Sequence, residues 1–242
     1  MRKVEFSVDN LKLKGILILP QKLLKKNPAI LFIHGWTSHK ERSYQYANGL
    51  AKLGYISFLF DMRGHGESEG NRDKTTTKEF LDDVLAAYDY LTKAQGVNTS
   101  DISVIASSFG CYLASLLTAK RNIKNLVLKA PADYPNSVFN KPTAQNSAES
   151  NPDIVSWRSE ARKSDETFAL DAVSNFNGKI LILESEKDDM VPHQTVQNYV
   201  NAIKIKSKLT HIVIKDAPHS IQEGRFRDKV EQILVDWFGN SS

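Results

Sequence analysis

Along the chain, short apolar runs alternate with segments whose apolar residues recur at helical spacing. The chain opens on a two-residue alternation: Lys3 to Val8, a turn at Asp9-Asn10, then Leu11 to Leu19 closed by Pro20. This pattern predicts a β-hairpin. Ala29 to Ile33 and Ile56 to Phe60 are continuously apolar and read as buried strands, with a helix from Tyr44 to Leu53, stopped by Gly54, between them. From Glu79 to Gln95 the side chains of Phe80, Leu81, Val84, Leu85, Tyr88 and Leu91 share one face of a helix. Thr76 and Glu79 form a capping box at its start and Gly96 stops it. The rhythm continues as strand Ile102 to Ala106, helix Phe109 to Ala119, strand Asn125 to Lys129, strand Lys179 to Glu184, helix Thr195 to Ile203, strand Leu209 to Ile214 and a last helix ending near Phe238.

Strands separated by helices imply parallel βαβ units in a sheet covered on both faces. Ligands of such sheets bind at the carboxyl ends of the strands, so chemistry is sought there. The expected class is α/β, a single domain over 1–242. Between Pro131 and Asn177 the alternation stops, with four prolines and many polar residues. Phe139, Trp157 and Phe168 there are more aromatics than a disordered segment carries, so 131–177 is expected to be a small cap or lid inserted between two strands. Within it, Asn151-Pro152 opens a helix through Trp157, and a second helix covers Thr167 to Val173.

The chain of 242 residues carries 32 basic and 28 acidic side chains, a net charge of +4 spread along its length. No basic stripe points to nucleic acid, and no apolar run approaches the roughly 18 residues of a membrane span. A single cysteine, Cys111, excludes an intrachain disulfide and fits a reducing, cytoplasmic compartment.

The chemistry concentrates at Ala106-Ser107-Ser108-Phe109-Gly110, between an apolar strand and a helix. A strand that turns at once into a helix crowds its corner, so small residues are needed two positions to each side. Ser108 has Ala106 and Gly110 there, whereas Ser107 has Ile105 and Phe109. Ser108 is therefore the candidate nucleophile. A serine hydroxyl needs a base to take its proton and an acid to orient that base. Of six histidines, His219 directly follows the last strand and is the candidate base; His34, His39, His193 and His211 lie in turns, at a helix start or within a strand. Asp188, in the loop after strand Lys179 to Glu184, is the candidate acid, with Asp189 and Asp133 as rivals.

An oxyanion hole needs two backbone donors. Phe109, opening the helix after Ser108, and Trp36, after His34-Gly35, are placed to supply them. His34, Tyr134 and Trp157 are expected to contribute to substrate binding, together with the aromatic side chains an apolar or aromatic acyl group would meet. The glycine-rich stretch Asp61 to Ser68 reads as pocket scaffolding, because no phosphate-cradle signature is present.

Taken together, His34-Gly35-Trp36, Asp61-x-Arg63-Gly64-x-Gly66-x-Ser68, Ala106-x-Ser108-x-Gly110, Asp188-x-x-Val191-Pro192 and Pro218-His219 resemble the α/β-hydrolase superfamily. The turn and the short cap look most like the bacterial cinnamoyl (feruloyl) esterase and monoacylglycerol-lipase-like group. The resemblance implies a Ser108, Asp188, His219 triad that cleaves carboxylic esters of small or aromatic acyl groups, without metal or organic cofactor. Thioester or peptide cleavage, or ligand binding without turnover, are the alternatives. Two departures stand out: Ala106 replaces a glycine, and Ser107 occupies a position where many relatives carry histidine.

Overall fold

The computed structural model describes residues 1–146, 151–221 and 224–240. Eight strands form one sheet: β1 (Arg2–Val8), β2 (Leu11–Ile18), β3 (Asn27–Ile33), β4 (Ile56–Phe60), β5 (Val97–Ser107), β6 (Asn125–Lys129), β7 (Lys179–Lys187) and β8 (Leu209–Pro218). Their spatial order is β1-β2-β4-β3-β5-β6-β7-β8. The hairpin β1–β2 is antiparallel and β2 joins β4 antiparallel, while every pair from β4 to β8 is parallel. The mostly parallel α/β-hydrolase sheet is thus present.

The helices are α1 (Tyr44–Lys52), α2 (Thr77–Thr92), α3 (Phe109–Thr118), α4 (Pro152–Arg158), α5 (Phe168–Ser174), α6 (His193–Ala202) and α7 (Gly224–Gly239). Strand alternation sorts side chains into two layers. Leu31, Ile33, Val104, Leu126 and Leu128 pack beneath α2, α3, α5 and α6. Ile30, Phe32, Ile105 and Val127 pack on the other face, where Tyr46 and Leu50 of α1 meet Val230, Leu234 and Phe238 of α7. The capping box of α2 forms as its sequence suggests: Thr76 Oγ1 accepts from Glu79 N at 3.2 Å and the Glu79 carboxylate accepts from Thr76 N at 2.8 Å. Strand β5 begins earlier than its apolar run, because Val97 pairs with Asn27 of β3 before a bulge.

The described part of segment 131–177 is tied to the body at many points. Lys78 N donates to Phe139 O and Thr143 N to Thr75 O. Arg158 Nη1 donates to Met190 O, and Thr195 Oγ1 to Arg158 O. Ala169, Leu170 and Val173 of α5 belong to the same apolar layer as α3, so this segment shares the main core. Residues 147–150 of it lie outside the described residues. No helix among the described residues is long and apolar enough to cross a membrane.

Candidate active site

The turn between β5 and α3 places Ser108 at φ 51° and ψ −119°, a conformation costing a non-glycine residue on the order of 1–3 kcal/mol. Its neighbours make this turn possible. A Cβ on Gly110 would come within 2.6 Å of the carbonyl oxygens of Ile33 and His34, and one on Gly35 within 3.2 Å of Ser107 O and Ser108 Cβ. Helix α3 and the loop after β3 therefore cross in near contact at the elbow. Ser108 N–H is fixed by Lys129 O at 2.9 Å. The Ala106 methyl is accommodated in the core beneath.

Loops at the carboxyl ends of β7 and β8 bring two more side chains to the serine. His219 Nε2 lies 3.0 Å from Ser108 Oγ, and His219 Nδ1 lies 2.9 and 2.8 Å from the two oxygens of Asp188. Asp188 Oδ1 also accepts from Met190 N at 2.9 Å and Val191 N at 2.7 Å, which anchors the carboxylate. A carboxylate facing Nδ1 keeps the proton on that nitrogen and leaves the Nε2 lone pair for the serine hydroxyl. Of the three candidate acids, Asp188 is the one bonded to His219. Asp189 is exposed. Asp133 is buried elsewhere, accepting from Tyr134 N and Thr167 Oγ1, each at 2.9 Å.

Phe109 is the first residue of α3, so its N–H has no intrahelical acceptor and points out of the helix start beside Ser108. Trp36 lies across a cleft of about 190 Å³, which is also lined by Gly35, Arg42, Ser107, Ser108, Lys129, His219 and Ile221. The rings of Trp36, Phe80, Phe109 and Tyr134 form an edge-to-face chain below, with centroids 5.5 to 5.9 Å apart.

The three expected substrate contacts are not among the residues that line the cleft. His34 is buried: its Nδ1 donates to Gly35 O at 2.8 Å and its Nε2 accepts from Met62 N at 3.1 Å. Burial pushes its pKa down to about 4, so it is a neutral brace of the loop that carries Trp36. Tyr134 is buried against Phe109, Tyr112 and the Arg158 guanidinium. Trp157 is covered by the Arg162 guanidinium, 3.7 Å from its ring. No described residue of 131–177 lines the cleft.

The remaining histidines also have structural partners. His39 meets Glu41 at 2.7 Å, while His193 and His211 share Glu184. The His65 ring lies 4.9 Å from that of His34, tilted by 59°, and burial pushes its pKa down to about 3. The Asp61-to-Ser68 stretch holds an ionic knot: Asp61 accepts from Lys40 N and Nζ at 2.7 and 2.6 Å, and Lys40 Nζ also reaches Glu67 at 2.6 Å. A Cβ on Gly66 would fall on the Asp61 carboxylate at 2.2 Å. Sequence reasoning missed Lys129 and Arg42 in the cleft. A lysine closing an otherwise apolar central strand was the available signal for the first. Among the described residues, no group of three or more His, Cys, Asp or Glu is placed to hold a metal ion.

Known proteins resemble this chain in sequence and in fold. The human mitochondrial palmitoyl-protein thioesterase ABHD10 is 25% identical over 236 residues, covering 89% of this chain and 73% of its own. Among solved structures, Est1E from Butyrivibrio proteoclasticus with ferulic acid bound has a TM-score of 0.75 at 21% identity, covering 98% of each chain. Mouse alpha/beta hydrolase domain-containing protein 10 has a TM-score of 0.70 at 17% identity, over the whole of both chains. Both structural likenesses are statements about the fold. The model of the hydrolase family described as serine aminopeptidase, S33, matches residues 25–165, more than half of the chain, and the protein belongs to that family of α/β-hydrolases.

Proposed function

We propose that the protein is a serine esterase that cleaves carboxylic esters through an acyl-enzyme on Ser108. The observation that carries this reading is the unbroken chain from Ser108 Oγ through His219 to Asp188. As Oγ attacks the ester carbonyl, its proton passes to His219 Nε2. The Phe109 and Trp36 amides face the oxyanion of the tetrahedral intermediate, where one such donor is worth about 3–4 kcal/mol of barrier. His219 then gives its proton to the departing alkoxide and the ester C–O bond breaks. Water, deprotonated by His219, attacks the acyl carbon; the bond to Ser108 Oγ then breaks as His219 returns the proton to Oγ, releasing the acid. Asp188 holds the ring and stabilises the imidazolium. None of these steps calls for a metal or organic cofactor.

The cleft of about 190 Å³ is smaller than the roughly 300–1,000 Å³ of sites for drug-sized ligands. That favours small or single-ring acyl groups over long chains. The similarity to a palmitoyl-protein thioesterase favours a second reading, thioester cleavage by the same steps with a thiolate leaving group.

Labelling with a fluorophosphonate tests the common core of both readings. The parent protein and Ser107→Ala should label and Ser108→Ala should not. A parent that stays unlabelled would indicate a ligand-binding protein instead. Rates on an oxygen ester and a thioester of the same short acyl group then decide between the two readings.

A further inference from the structure

The last residue of β6 is chemically out of place. Lys129 lies between β5 and β7 and is only 5% exposed. Buried lysines are rare unless paired with a carboxylate. Among the described residues no carboxylate pairs with this one, and burial is what acts most on its charge. Its Nζ stands 4.3 Å over the ring of Tyr46, whose hydroxyl is tied to Ile221 O at 3.2 Å. A cation–π contact offsets part of the desolvation and leaves the ammonium protons available for an acceptor.

The placement of this ammonium is what gives it meaning. Lys129 pairs in parallel register with Ser107, and its carbonyl holds Ser108 N–H. Lys129 lines the same cleft as Ser108 and His219, and among the described residues no carboxylate lines its wall. A buried charge at a cleft, paired with no carboxylate among the described residues, is complemented by a ligand of opposite charge.

We propose that Lys129 is a substrate-binding residue whose ammonium receives a carboxylate borne by the substrate close to its scissile ester. The inference rests on the serine-esterase reading and narrows its substrates to esters of monoanionic acids or alcohols. The one buried ammonium of this small cleft suits a single carboxylate. Burial pushes the Lys129 pKa down to about 8, so the group is still cationic at neutral pH.

Two isosteric pairs of esters test this on the intact chain. In the acyl arm, 4-nitrophenyl hydrogen succinate is compared with its neutral succinamate. In the alcohol arm, 4-acetoxybenzoate is compared with 4-acetoxybenzamide. In at least one arm the anionic member should have a kcat/KM about ten- to hundredfold above the neutral one at pH 7, the scale of a charge-assisted contact. That ratio should fall to near one in Lys129→Met or Lys129→Gln, either of which suffices. A parent with no anionic preference in either arm overturns the inference, as does a preference that survives both substitutions. Fluorophosphonate labelling of the parent separates the two failures. A labelled protein indifferent to charge loses only the role of Lys129, whereas an unlabelled one loses the esterase reading itself.

Discussion

The carboxylate of Asp188 does two jobs with different sensitivities. It accepts two backbone N–H groups of its own loop, and it accepts the Nδ1 proton of His219. In Asp188→Asn the amide oxygen can still serve the loop, so the fold should persist. The amide NH2 then faces Nδ1 and favours the ring tautomer with its proton on Nε2, which can no longer accept from Ser108. A fall in kcat of about 10³–10⁴-fold with little change in melting temperature is expected. Steady-state kinetics on a short-chain ester beside thermal melting checks it; an unchanged rate would remove Asp188 from the proposed mechanism. Ser108, Asp188 and His219 were readable from the chain because each combines a reactive group with a place at a strand end. The burial of His34 and Tyr134 was not, because an aromatic residue near an active-site loop faces either the cleft or the core, and only three-dimensional packing decides which. Lys129 shows the converse: a residue whose type contradicts its strand is informative even when no motif contains it.

At the scale of elements, the elbow depends on how near α3 comes to the loop after β3. Gly110 is the point of closest approach, where any Cβ would press on two backbone carbonyls that cannot rotate away. Gly110→Ala should therefore push helix and loop apart, at a cost of about 1–3 kcal/mol for overpacking. The loop carries Trp36, so activity should fall along with melting temperature; a variant with parental stability and rate would refute the close crossing. Helices and strands themselves followed from periodicity, since a buried parallel strand is an apolar run and α2 announces its start with a capping box. The order β2-β4-β3-β5 did not, because the neighbour of a parallel strand is set by the hand and reach of each crossover. Nor did the seating of α5 within the main core, since its short apolar stripe looks the same on a lid as on a core helix.

Across the whole molecule, buried titrating groups set how stability responds to pH, and one of them lies within segment 131–177. Asp133 is almost fully enclosed, and burial pushes its pKa up to about 7 despite hydrogen bonds from Tyr134 N and Thr167 Oγ1. A group with a raised folded-state pKa contributes stability that is full below its unfolded value, 3.8 here, and is lost as pH rises through the folded value. His34 and His65 act in the opposite sense. With pKa values pushed down to about 4 and 3, they contribute stability above their ordinary value near 6.5 that is lost as pH falls. Between about pH 4 and 6.5 these slopes oppose one another, each at most about 1.4 kcal/mol per pH unit, so the parent alone would not reveal them. Asp133→Asn isolates the carboxyl, since the amide oxygen can accept from Tyr134 N and the Thr167 hydroxyl can rotate to accept from the amide. The melting temperature of this variant minus that of the parent should increase from pH 4 to about pH 7 and then level off. Melting curves of both proteins at half-unit intervals would show it. A difference independent of pH would mean that Asp133 is already ionised throughout, held so by the Arg158 guanidinium packed on the neighbouring Tyr134 ring.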